Sequence, residues 1–262
     1  IVEAVRIKDK ANYDYVRKMR GSICVLGPLL GRLKRAKVSV PGGCLIGIRP
    51  IALHLKGMKE LGAKVTNVGG YVRATTKNLK GANIFLGGHA GPTVLGTANV
   101  MMAAVLAKGQ TVIESAACEP EITDLAKFLN AMGARVEGAG SPTISIIGVK
   151  QLHGTEHEVV PDRIEAATYA IAAVATKGEV TLKGARADHL TAVIDKLEEA
   201  GAKIEQKRGK ITFRRGRTIK PVDITTLPYP GFPTDVQAQM MALLTLSTGI
   251  SIITERVFEA RF

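Results

Sequence analysis

Polar and apolar positions along this chain form a pattern that returns about every 70 residues. Ile51, Leu55 and Met58 share one face of a predicted helix. Ile122, Leu125, Leu129 and Met132 do the same, as do Leu190, Val193, Ile194 and Leu197. Each helix runs into a Gly-Ala-basic triplet: Gly62-Ala63-Lys64, Gly133-Ala134-Arg135 and Gly201-Ala202-Lys203. A glycine suits the position just past a helix end, where positive φ carries no Cβ penalty. Short strands are predicted to leave at 64–66, 135–137 and 203–205, with return strands such as 144–147 and 210–213. Each repeat also holds a helix that is apolar nearly all round: Val100–Leu106, Tyr169–Val174 and Met240–Leu244. Helices of that kind are expected to be buried on every side. The repeating unit therefore reads βαβαββ, and its period exceeds that of common solenoid repeats. A fourth unit begins at Gly249–Ile253, and truncation at both ends is the expectation.

The repeats expose one irregularity. Val38 stands 24 residues before Gly62, whereas Val112 and Val180 stand 21 before Gly133 and Gly201. The extra residues fall in a glycine-rich connector, Pro41-Gly42-Gly43-Cys44-Leu45-Ile46-Gly47-Ile48-Arg49-Pro50. Connectors on a rigid scaffold often carry function. Cys44 has two readings: a small, half-buried residue, or a reactive thiol made more acidic by Arg49. Arg49-Pro50 suits a helix start, with proline at the first helical position. Free N–H groups and a guanidinium there make a natural anion site. A solvated surface arginine is the alternative. Arg20 is either a second anion contact or plain surface. Asp235, in Gly231-Phe232-Pro233-Thr234-Asp235, is either a helix-terminal carboxylate or a general base.

Composition narrows the function class. The 262 residues are 46% hydrophobic, enough for one large core or two ordinary domains. A net charge of +13 calls for anionic partners. Aromatics are only 4%, too few for single-strand stacking platforms, so an anionic small substrate is expected and nucleic acid is not. Cys24, Cys44 and Cys118 show no CxxC spacing, which argues against a disulfide framework or a zinc site and for a reducing compartment. His153-Gly154-Thr155-Glu156-His157-Glu158 lacks helical periodicity and reads as a polar loop rather than a metal site. No apolar run reaches membrane-spanning length.

Several segments together resemble the UDP-N-acetylglucosamine 1-carboxyvinyltransferases, a family of enolpyruvyl transferases. They are Met19-Arg20-Gly21-Ser22 with Leu26-Gly27-Pro28-Leu29, the Pro41–Pro50 connector, Glu119-Pro120-Glu121-Ile122, and Pro161-Asp162-Arg163-Ile164-Glu165. Phe232-Pro233-Thr234-Asp235 with Gln237-Ala238-Gln239, and Glu255-Arg256-Val257-Phe258-Glu259, complete the series. The resemblance implies an inside-out α/β barrel fold of βαβαββ units in two domains, residues 1–160 and part of a second at 161–262. It implies phosphoenolpyruvate and UDP-N-acetylglucosamine as substrates, no cofactor, no metal, and a bacterial cytoplasmic location. Oligomeric state is not readable, and a monomer is the working expectation. Cys44 would be the general acid, an occasional nucleophile and the target of fosfomycin, and Asp235 the base. Arg20, Arg49, Pro50, Ile51, Ala52, Leu53, Thr93, Val94 and Val257 match substrate-binding positions. Two departures stand out: Ala52 replaces a carboxylate common in the family, and the diphosphate loop aligns only loosely with Thr93–Thr97. The family's N-terminal Lys-Asn pair and a late arginine are missing, so the piece by itself is expected to be inactive. The related 3-phosphoshikimate 1-carboxyvinyltransferases share the fold but not the cysteine loop. A basic, non-enzymatic nucleic-acid-binding repeat protein is the rival from another class.

Overall fold

The computed structural model describes residues 1–40, 51–258, 260 and 261. Contacts divide the chain into Ile1–Glu158 and Val159–Phe262.

In the first unit the pattern appears twice. The elements are β1 (Lys10–Ala11), α1 (Tyr13–Val16), α2 (Leu26–Leu33), β2 (Arg35–Ser39), α3 (Ala52–Glu60), β3 (Lys64–Val68) and β4 (Tyr71–Thr75). A six-residue 3-10 helix, Arg20–Val25, leads into α2. The second copy runs β5 (Asn83–Phe85), a two-residue ribbon β6 and β7 (Gly87–Gly88, Gly91–Pro92), α4 (Val94–Ala104), β8 (Gln110–Glu114), α5 (Pro120–Ala131), β9 (Arg135–Glu137) and β10 (Thr143–Ile147). The sheets have matching orders, β1-β2-β4-β3 and β5-β8-β10-β9. In each the first pair is parallel and the others antiparallel. The alternation of side chains sends Ala36, Val38, Val72 and Ala74 inward from one sheet, and Ile113, Ile144 and Ile146 from the other.

The second unit holds α6 (Arg163–Ala175), β11 (Glu179–Lys183), α7 (Thr191–Glu199), β12 (Lys203–Lys207), β13 (Lys210–Arg214), β14 (Ile224–Thr225), α8 (Gln237–Leu244) and β15 (Ile253–Thr254). Its main sheet is β11-β13-β12, and β14 pairs with β15 in parallel. The βαβαββ expectation needs one correction here: residues 149–162 form no strand, so this sheet lacks the parallel first member. That stretch is polar, carries Gly154 and Pro161, and has no apolar alternation to pair.

The three helix-ending glycines adopt φ of 87° (Gly62), 95° (Gly133) and 95° (Gly201), as the triplet pattern requires. The all-round-buried helices divide. In α4, Val100, Met101, Ala103 and Ala104 are buried, and the helix packs on α2, α3 and α5. In α6 and α8 one face stays open: Tyr169 is 56% exposed and Met241 39%. Periodicity cannot tell a helix covered on all sides from one that keeps an open face. Among the described residues no helix is long and apolar enough to cross a membrane.

Candidate functional site

Arg20, Ile51–Leu53 and Thr93–Val94 belong to three helix starts of the first unit, and buried contacts hold these together. Arg20 opens the 3-10 helix, Ile51 caps α3 and Ala52 begins it, and Thr93 caps α4. The Thr93 hydroxyl accepts from Gly96 N–H at 3.2 Å, satisfying one of the free donors of that helix end. Leu53 reaches the β6–β7 ribbon beside Gly88.

The link between these starts is Asn99, which is fully buried. Its Oδ1 accepts from Gly27 N–H at 2.5 Å. Its Nδ2 donates to the Ile23 carbonyl at 3.0 Å and to His54 Nδ1 at 3.1 Å. Gly27 can only donate, so the amide orientation follows, and His54 must accept at Nδ1 and carry its proton on Nε2. The α2–α4 crossing depends on Gly27, because a methyl there would overlap the Asn99 backbone carbonyl. His54 is 2% exposed. Burial, and then the charge of nearby Arg20, push its pKa down to about 4, so it is neutral. The same arginine lies near Cys24, whose thiol burial drives up to about 11 despite the guanidinium. Cys118 is likewise raised, by burial and by Glu119. Neither of these thiols is a thiolate at neutral pH.

The residues Cys44, Arg49 and Pro50 lie outside the described residues. The connector that holds them spans 40–51 between β2 and α3, against 115–119 and 184–190 in the other repeats, so the irregularity seen in sequence is real in element spacing.

In the second unit Asp235 and Val257 share one network. Asp235 sits exposed in the 3-10 helix Thr234–Val236, and its carboxylate accepts from Arg261 Nη2 at 2.9 Å. Arg261 Nη1 also donates to the Thr234 carbonyl. Asp235 is the acidic residue in the first turn of that 3-10 helix, as the helix-terminal reading expects. Glu255 ties the strands beneath. Its Oε1 accepts from Thr226 Oγ1 (2.8 Å), Val257 N–H (2.7 Å) and Phe258 N–H (3.0 Å), and its Oε2 from Thr234 Oγ1 (2.9 Å). Burial raises its pKa, and the bonds from Phe258, Thr226, Val257 and Thr234 outweigh that, holding the carboxyl below its usual range. The residue therefore fixes both the turn that presents Asp235 and the backbone at Val257.

His54, Asn99, Glu255 and Arg261 were not singled out from the sequence. A signal existed for one of them: Glu255 lies two residues before Val257 inside a recognised segment. The histidines of the 153–158 loop go to unlike partners. His157 Nε2 meets Asp124 at 3.0 Å and its ring lies 5.1 Å from Phe128, while His153 Nδ1 meets the Gly154 carbonyl at 2.9 Å.

Known proteins resemble the chain along its length. The family model for EPSP synthase (3-phosphoshikimate 1-carboxyvinyltransferase) matches residues 2–262. UDP-N-acetylglucosamine 1-carboxyvinyltransferase 2 of Carboxydothermus hydrogenoformans is 56% identical over 255 residues, covering 97% of this chain and 60% of the relative. UDP-N-acetylglucosamine 1-carboxyvinyltransferase 1 of Caldanaerobacter subterraneus subsp. tengcongensis is 55% identical, covering 98% and 62%. The chain thus spans about three fifths of the curated relatives it matches. Among solved structures, the enolpyruvyl transferase NikO from Streptomyces tendae superposes with a TM-score of 0.85 at 23% identity, over 97% of this chain and 60% of that one. An EPSP synthase from Acinetobacter baumannii gives 0.62 at 25% identity, over 89% and 54%. NikO is too distant in sequence to speak for more than the fold, whose repeated α/β units agree with those described above. By its sequence match and its architecture, the chain belongs to the EPSP synthase family.

Proposed function

We propose that this chain carries the acid, the base and most substrate contacts of a UDP-N-acetylglucosamine 1-carboxyvinyltransferase. The observation that carries this reading is identity above one half, across nearly the whole chain, to relatives of that name. The sites then take the following roles. Asp235 removes the proton of the sugar 3′-hydroxyl, whose oxygen bonds to C2 of phosphoenolpyruvate. Cys44 delivers a proton to the C3 methylene, giving a tetrahedral adduct. A proton then leaves C3 as the C2–O bond to phosphate breaks, restoring the double bond and releasing phosphate. Arg20 and Arg49 offset the charge of two anionic substrates. Segments 49–53 and 93–94 and Val257 hold the nucleotide sugar. The two units act as the two domains of the fold, in a bacterial cytoplasmic enzyme without a cofactor.

The pinning of Asp235 by Arg261 supports its role as base. The contact at 2.9 Å fixes where the carboxylate stands, and a general base has to be positioned within reach of the proton it takes. Phosphate release should be measured, in a gene product carrying this chain, with phosphoenolpyruvate and either UDP-N-acetylglucosamine or shikimate 3-phosphate. Release with the nucleotide sugar, falling roughly 10²–10⁴-fold in Asp235→Asn, is expected. Release with shikimate 3-phosphate alone would overturn the reading.

A further inference from the structure

The strands of the first sheet carry no carboxylate, whereas those of the second hold Glu114 and Glu137 and those of the third Glu179 and Glu205, the latter two on a face with a lysine row of its own, Lys183, Lys210 and Lys207. Strand register places Lys10, Lys37, Arg73 and Thr66 in one row across β1, β2, β4 and β3. The equivalent row of the second sheet is Val112, Ser145 and Glu137, and that of the third is Thr181, Thr212 and Glu205. Two cations thus stand where the other repeats have neutral side chains, and threonine stands where both others have glutamate. Like charges directly opposed across strands are unfavourable. Among the described residues no carboxylate pairs with Lys10, Lys37 or Arg73, nor with Lys64 one row away, whereas Arg35 beside them is paired with Asp9 at 2.8 Å.

Two features say what would cover this face. The Tyr71 ring is already flanked by Lys10 Nζ at 5.6 Å and Lys37 Nζ at 4.6 Å, so it offers no open platform for stacking a base. The adjacent hairpin tip, Val68-Gly69-Gly70, presents an apolar side chain: Val68 is 55% exposed. A flat cationic face with an apolar tip at its edge fits a sheet of anionic headgroups.

We propose that this sheet face docks reversibly on an anionic lipid bilayer, with Lys10, Lys37, Lys64 and Arg73 facing the headgroups and Val68 at the interface. The test is vesicle co-sedimentation of the 262-residue chain. Binding to phosphatidylglycerol/phosphatidylcholine vesicles, none to phosphatidylcholine alone, and release in high salt are expected. Each basic residue near such a surface contributes roughly fivefold in affinity, so Lys37→Gln/Arg73→Gln should weaken binding by about 25-fold. Lys183→Gln/Lys210→Gln, on the third sheet, should leave it unchanged. Thermal unfolding of both double variants monitors the fold. No binding to the anionic vesicles, equal binding to neutral ones, or indifference to the first double variant would overturn the proposal. So would tighter binding of a single-stranded oligonucleotide through the same residues.

Discussion

Acidification should weaken the first unit specifically through His54. The ring is 2% exposed and accepts a hydrogen bond at Nδ1 from Asn99. A proton on Nδ1 would set a donor against a donor, next to the Arg20 charge and with little water to compensate. The folded pKa is about 4, against 6.5 for an ordinary histidine. Between those values the unfolded chain binds more protons than the folded one, so stability falls as pH drops from 6.5 to 4 and levels off below. A shift of that size corresponds to about 3 kcal/mol. A domain has roughly 5–15 kcal/mol in all, so the loss is large. The perturbation is His54→Gln, whose amide oxygen still accepts from Asn99 but does not titrate. Guanidinium unfolding of both proteins, followed by far-UV circular dichroism at pH 7 and pH 4, isolates the effect, because carboxylates elsewhere cancel in the difference. The stability gap between the two proteins should move by about 3 kcal/mol in favour of the variant on acidification. A gap that is the same at both pH values refutes the placement of a neutral, buried His54.

Other predictions concern the same networks. Asn99→Leu strands Gly27 N–H and His54 Nδ1 without partners, and should cost about 2–6 kcal/mol in denaturant unfolding; a loss below about 1 kcal/mol would show the amide to be dispensable. In Glu255→Ala, amide exchange of Val257 and Phe258 should quicken at least about tenfold, with Glu255→Gln intermediate, as a lost hydrogen bond of about 1.5–3 kcal/mol implies; unchanged exchange would remove Glu255 as the tie. Gln237 is 1% exposed and both its amide atoms lack partners among the described residues. Gln237→Met should therefore stabilise the second unit by about 1 kcal/mol or more, read as a raised unfolding midpoint, and a lowered midpoint would mean that the amide is satisfied.

Much of the architecture is written locally. The Gly-Ala-basic triplets end the helices because only glycine takes positive φ without a Cβ clash. The alternation in β2, β4, β8 and β10 sets which face of each sheet is buried, since side chains along a strand change face at every residue. Even the unusual connector of Cys44 is visible as a break in spacing, and Asp235 and Val257 are recognisable within their segments. Other features needed the tertiary structure. Nothing local says that Asn99 would meet Gly27 and His54, partners 72 and 45 residues away. Glu255 reads as one more surface acid until Thr226 and Thr234 arrive from 29 and 21 residues off. The row of Lys10, Lys37 and Arg73 exists only once register aligns three separate strands. Periodicity reports which residues share a face of one element. What that face meets depends on chain segments brought together by the fold, and there the hydrogen bonds, the pKa of His54 and the bare charge of the first sheet were decided.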